Sequence, residues 1–539
     1  MNTEKRIIFT NARIYTADDK NPSADSMIVE SGRITWIGFH ADMPSSEGGT
    51  VVDLKGRRVI PGFTDSHMHP VMLADFRKKI TIMPPRINSI EDLVQAVRKC
   101  REEQGPDKWV EGWGYDEQAF AEKRSPNRWD LDRACSDAPV SLMRTCAHIR
   151  CVNSRALELA GIDRNTPDPP GGEIERDASG ELTGVLKENA RNLLADLLPR
   201  EPEEQKVKNL LELGELLTSQ GIVAICDMGN LDDGDNLPVY EKAAEKGFRQ
   251  KVGVYYMWDF FADRTDFDIP KDRMDKNRQI SVSGLKLIGD GSISGRTAWM
   301  NRPYYGSTDE YGISTCEDRI MESAIAFCKA HHCQLSMHAM GARAIKRMVD
   351  RACEEKKWTR DDTPYVRIEH VTDPEEESIV KAAEHGIAFV TQPIFPYAES
   401  ASYLKNLGPE WLKQCYPVRR MLEKGVMTAF STDAPATFWA VPSDPFPGLK
   451  LAVTRRSYTG ADCGQNQAID ISTALKLYTK ESAEAAGFHD IGVLAPGYRA
   501  DFAVLSRDIL EVPSDEIDQV CVYQTYIDGE CVFTRQEQK

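Results

Sequence analysis

Five short stretches carry the residues whose types and spacing could do chemistry. In Asp65-Ser66-His67-Met68-His69, directly after the apolar run Val59-Ile60-Pro61-Gly62-Phe63, two histidines stand two positions apart. Residues i and i+2 of a strand point to one face, so His67 and His69 can bind one ion together. The spacing alone also suits two surface histidines, but three further candidate ligands recur at the ends of strand-like runs. His338 ends Gln334-Leu335-Ser336-Met337, His370 ends Val366-Arg367-Ile368-Glu369, and Asp433 follows the strand-like stretch 427–432. Imidazole nitrogens with a carboxylate suit zinc, so the expected cofactor is Zn2+, as one or two ions.

Lys286 sits inside Gly284-Leu285-Lys286-Leu287-Ile288. An ammonium ion in such a core strand is costly, and burial lowers its pKa. A neutral amine can react with carbon dioxide to give a carbamate, an anion able to bridge two metals. The alternative is a lysine paired with a buried carboxylate such as Asp290. Trp113, His148 and Asp290 are candidate substrate contacts, and each has a plain structural reading beside the functional one. His331, His332, His385 and His489 fall in helix or turn contexts and read as surface residues.

The elements that must position these residues alternate. Candidate strands lie at 59–65, 221–227, 251–257, 284–288, 334–338, 366–370, 387–391 and 426–431, with helical patterns at 203–219, 317–331, 343–355, 374–385 and 410–424. Strands alternating with helices predict a parallel sheet, and eight such units fit a (β/α)8 TIM barrel of α/β class, whose active sites lie at the carboxyl ends of the strands. Short strands at both chain ends, closed by an Asp528-Gly529 hairpin turn, predict a small β-sandwich made from both termini. The long gap after the first barrel strand predicts an inserted subdomain. The expected domains are 1–60 plus 488–539 for the composite β unit, 61–487 for the barrel, and 84–200 for the insertion.

The 539 residues are 41% hydrophobic and 28% charged, enough for a sizeable core, which excludes a disordered chain. A net charge of −17 argues against nonspecific nucleic-acid binding, which needs a basic footprint. Thirteen cysteines without a C-x-x-C pair read as reduced thiols rather than a secreted disulfide framework. With no apolar leader or membrane-length run, the expected location is cytoplasmic. The expected partners are a small-molecule substrate and a second copy of the chain in a homodimer, with no nucleic acid and no membrane.

The sequence resembles the amidohydrolase superfamily, in its amidohydrolase 3 branch, which includes N-substituted formamide deformylase. The likeness rests on the 59–69 stretch, Gly284-Leu285-Lys286-Leu287, Asp290-Gly291-Ser292, His338-Ala339-Met340-Gly341, Ile368-Glu369-His370, Ser431-Thr432-Asp433-Ala434-Pro435 and Gly497-Tyr498-Arg499-Ala500-Asp501-Phe502. It implies that His67 and His69 bind the more buried metal and His338 and His370 the more exposed one. Lys286, as carbamate, would bridge them. Asp433 would bind metal and attacking water and shuttle the proton, with His338 as the second catalytic candidate. The implied activity is metal-dependent hydrolysis of a carbon–nitrogen bond other than a peptide bond, in an N-substituted amide or formamide. Ala342 stands where the branch usually has Asp. Two rival readings are a single-metal deaminase of a heterocycle, against which Lys286 tells, and a non-catalytic binding or regulatory protein on the same fold.

Overall fold

A computed structural model describes residues 6–44, 48–83, 86–105, 108–117, 120–145, 149–169, 172–194, 197–199, 201–229 and 234–536. The chain divides into two compact units, Met72–Asn209 with Pro435–Pro442, and the remainder.

The larger unit is built on eight parallel strands: β1 (Phe63–Met68), β2 (Ile222–Asp227), β3 (Lys251–Met257), β4 (Ile280–Ile288), β5 (Gln334–Ala339), β6 (Val366–His370), β7 (Ala388–Thr391) and β8 (Thr428–Phe430). They pair in chain order from β1 to β8. Strands covered on both faces need no polar side, which is why β2 and β3 read as near-continuous apolar runs and are buried at every position. The seam between β8 and β1 is stitched just beyond the ladder. Asp433 N donates to His67 O and His69 N to Ala434 O, both at 2.8 Å. The buried Asp65 carboxylate accepts from Thr432 N at 3.1 Å and Thr432 Oγ1 at 2.5 Å. The result is an α/β barrel, nearly closed, with helices between strands such as Asp318–His331, Ala342–Cys353 and Glu376–His385.

Two elements differ from the sequence expectation. The expected strand at 59–65 is two strands, Arg58–Pro61 and β1, broken at Gly62. A Cβ at Gly62 would come within 2.5 Å of the Val223 side chain, so only glycine lets the chain pass there. The expected helix at 410–424 is two short ones, Pro409–Leu412 and Val418–Glu423. Tyr416 between them takes φ 52° and is followed by Pro417, which cannot continue a helix.

Both chain ends build two further sheets in this unit. One contains Arg33–Gly38, Ser26–Glu30, Arg6–Thr10 and Thr50–Asp53. The other runs Glu530–Thr534, Val522–Ile527, Phe502–Leu505, Arg58–Pro61, Arg13–Tyr15 and Ser23–Ala24. Their shared core centres on Phe9, edge-on to Phe502 and Tyr526 at 5.1 and 5.2 Å. The hairpin turn has positive φ at both Asp528 and Gly529, as a two-residue turn of this kind requires.

The smaller unit is a six-stranded mixed sheet, in the order Gly172–Arg176, Leu182–Glu188, Ile149–Val152, Val140–Arg144, Val110–Tyr115, Ile80–Thr81. Helix Ile90–Gln104 buries Leu93, Val94 and Val97 in that unit's core. Its N-terminus is capped by Ser89, which accepts from Asp92 N at 3.0 Å. Among the described residues no helix is long and apolar enough to cross a membrane, and no cysteine is cross-linked.

Candidate active site

The carboxyl ends of the barrel strands bring the expected ligands to one place. β1 carries His67 and, one residue beyond its end, His69. β4 carries Lys286, β5 His338 and β6 His370, and Asp433 follows β8. His370 and Asp433 take φ 74° and 57°, a region non-glycine residues seldom enter and one where strain is often functional.

The histidine rings are fixed from behind. His67 Nδ1 lies 2.6 Å from Glu369 Oε2, His69 Nδ1 2.5 Å from the Gly229 carbonyl, and His370 Nδ1 2.8 Å from Gln392 Oε1. Acceptor oxygens at these positions require each Nδ1 to carry the proton, which leaves each neutral ring with a bare Nε2. The Nε2 atoms of His67 and His69 each lie 3.3 Å from Asp433 Oδ1, which is buried and has no hydrogen-bond partner. Two nitrogen lone pairs thus face a carboxylate oxygen, and a shared cation reconciles them. His67, His370 and Asp433 place ligand atoms within 4.8 Å of one another. The residues therefore fit a metal ion of the nitrogen- and oxygen-ligated kind, with the outer partners such ligands need.

Lys286 Nζ lies 3.4 Å from His67 Nε2. Burial pushes its pKa down to about 8, against the pull of Glu369 and Asp433. Burial, helped by the neighbouring cations, lowers His67 and holds His370 well below the usual histidine range. Burial works against the Asp433 carboxylate, but His67, His69 and His370 hold it well below the usual range. His69 goes the other way: burial opposes its charged form, but Asp433 and the Gly229 carbonyl raise its pKa. Neutral His67 and His370 beside an ionised Asp433 are protonation states that suit metal binding.

His338 stands at the edge of this group, its ring centroid 4.4 Å from that of His370 and its Nε2 3.0 Å from the Gly291 carbonyl. Asp290 does not meet Lys286 in a hydrogen bond. Its fully buried carboxylate accepts from the backbone N–H groups of Trp299, Met340 and Gly341 at 2.8–3.0 Å, with His338 Nε2 at 3.3 Å. Ala342 is buried at the start of the helix that follows. Trp113 lies in the smaller unit, packed with Phe76, Met83 and Phe438. His148 lies outside the described residues. Glu369, Gln392 and the Gly229 carbonyl had no role in the sequence reading. The one available signal was Arg367 and Glu369, two charges at alternate positions of a strand that is otherwise core.

Against known proteins, the amidohydrolase family model matches residues 50–533. The chain belongs to the amidohydrolase family. This amidohydrolase is 26% identical to N-substituted formamide deformylase of Arthrobacter pascens, over 99% of both chains. It is 28% identical to YtcJ of Bacillus subtilis (strain 168), over 98% of this chain and all of that one. Among solved structures, an uncharacterized metal-dependent hydrolase from Pyrococcus horikoshii OT3 superposes with a TM-score of 0.73 at 25% identity, covering 95% of this chain and 99% of that one. Family membership and the donor set together support a metal-dependent hydrolase.

Proposed function

We propose that this amidohydrolase hydrolyses the carbon–nitrogen bond of an N-substituted amide or formamide. The metal would be zinc, held by His67, His69, His338, His370 and Asp433, with Lys286 joining as its carbamate. When bound, zinc supplies Lewis acidity, acidifying water and polarising a substrate carbonyl. The observation that most supports this is the buried, partnerless Asp433 Oδ1 facing two histidine nitrogens, with Lys286 close by.

The chain's own residues do the rest. Asp433 Oδ1 would be the oxygen that holds the metal, and Oδ2 takes the proton from water as the new carbon–oxygen bond forms. Asp433 then returns that proton to the nitrogen as the carbon–nitrogen bond breaks. Lys286, with its pKa near 8, has a neutral fraction at working pH. Its amine adds to carbon dioxide and loses a proton, becoming an anionic ligand. Asp290 holds the Met340–Gly341 turn beside His338, the second catalytic side chain. N-substituted formamide deformylase as a full-length relative favours a formamide or amide over a heterocycle.

The test is elemental analysis of protein made with zinc, beside a turnover screen of N-benzyl formamides, acetamides and heterocyclic amines. About one or two zinc ions per chain are expected, with release of amine and acid. Lys286→Ala should lower both metal content and turnover. Full turnover without any transition metal, or with Lys286→Ala at wild-type metal content, would overturn the reading.

A further inference from the structure

Glu369 is wholly buried, as is its neighbour on the same face of β6, Arg367. A buried ion pair costs desolvation that apolar residues of similar volume avoid, so such a pair is weak evidence of stability. Its hydrogen bonds point elsewhere. Glu369 Oε1 accepts from Arg367 Nε at 2.5 Å and from Ser336 Oγ at 2.8 Å, and Oε2 accepts from Arg367 Nη2 at 3.1 Å and faces His67 Nδ1 at 2.6 Å. Arg367 is itself anchored, donating to the Ser66 carbonyl at 2.6 Å, one residue before His67. Four donors converge on one carboxylate, which only an ionised, acceptor-only group can satisfy at every lone pair.

We propose that Glu369 is a positioning residue, which with Arg367 and Ser336 selects the Nδ1–H tautomer of His67 and so presents a bare Nε2 to Asp433 and Lys286. An amide in its place has one acceptor oxygen. Turned to Arg367 Nε and Ser336, that oxygen leaves the amide N–H groups facing His67 Nδ1. The imidazole would then have to protonate on Nε2, the atom meant for the metal. The inference rests on the metal reading only for its second consequence, ligand affinity. The tautomer is a property of the protein without metal.

The experiment therefore has two readouts on full-length protein. The first is the tautomer of His67, read from imidazole 15N shifts in metal-free protein labelled at histidine and assigned with His67→Gln. Wild type should show Nδ1–H, and Glu369→Gln should shift His67 wholly or mainly to Nε2–H. The second is zinc affinity by competition with a chromophoric chelator. Glu369→Gln should bind about 10–100-fold more weakly, and the double change Glu369→Gln with Arg367→Met, which leaves no charge unpaired, should fold but not regain affinity. His67 as Nε2–H in the wild type overturns the proposal even if no variant folds. So does a folded Glu369→Gln protein that keeps Nδ1–H and binds zinc within threefold of wild type. Wild-type protein that shows Nδ1–H but takes up no zinc would defeat the metal reading and leave this one standing.

Discussion

At the scale of single residues, the backbone of Asp433 decides which substitution is informative. With φ 57° it occupies a conformation that Asn also tolerates and that Ala does not enter without strain. Asp433→Asn therefore removes the charge and the proton acceptor while keeping the turn. Loss of general acid–base catalysis predicts a fall in kcat of about 10²–10⁴-fold, with a Tm close to wild type. A kcat within threefold of wild type at equal metal content would exclude Asp433 as the shuttle. The metal-facing residues themselves were legible as types at strand ends. Their tautomers were not, because each is set by an oxygen far away in the chain, 302 residues in the case of His67 and Glu369.

At the scale of elements, the spacing between β4 and β5 carries Lys286 and His338, and Gly284 controls it. A Cβ there would collide with the Gln334 carbonyl of the neighbouring strand. Gly284→Ala should cost about 1–3 kcal/mol through forced separation of the strands and lower the bound metal with it. Thermal unfolding and elemental analysis check both, and an unchanged Tm would show that the ladder absorbs the methyl group. A second element-level prediction concerns helix Pro445–Thr454, capped by Asp444, which accepts from Phe446 N at 3.1 Å. Burial, reinforced by Asp518, pushes the Asp444 carboxyl from its ordinary 3.8 to about 6. The fold therefore takes up a proton between these values. The associated stability is present below pH 3.8, is lost as pH rises through about 6, and does not return above it. Asp444→Asn keeps a capping side chain without the charge. Relative to wild type it should gain stability between pH 4 and pH 7.5, by at most about 3 kcal/mol. Urea unfolding at the two pH values measures this, and a pH-independent difference would refute it.

At the scale of the whole molecule, the first sixty residues depend on the last forty. Arg58–Pro61 pairs with Arg13–Tyr15 on one side and Phe502–Leu505 on the other. The Arg58 guanidinium binds Asp508 at 2.7 Å. Removing residues 500–539 would strip one edge of Arg58–Pro61 of its partner strand and uncover Phe9 and Val59, both fully buried. Strands this short bury no core of their own, so the truncated chain should be aggregated on size-exclusion chromatography. A monodisperse, folded 1–499 protein would show that the terminal sheets do not depend on each other.

What the sequence determined by itself was periodic and local. Strand-like runs alternating with helical patterns announced the parallel sheet, and side-chain alternation put His67 and His69 on one face with further candidate ligands at strand ends, because a strand's facing is set within a few residues. Only the tertiary structure decided that Gly62 breaks the first strand, since the obstacle is Val223 in another strand. The closing of β8 on β1 through Asp65 and Thr432 was likewise invisible in the chain. So was the choice of Glu369, Gly229 and Gln392 to hold three histidine rings. These contacts join residues far apart in the chain that no local pattern relates, and they exist only once barrel closure brings the strand ends within hydrogen-bond reach.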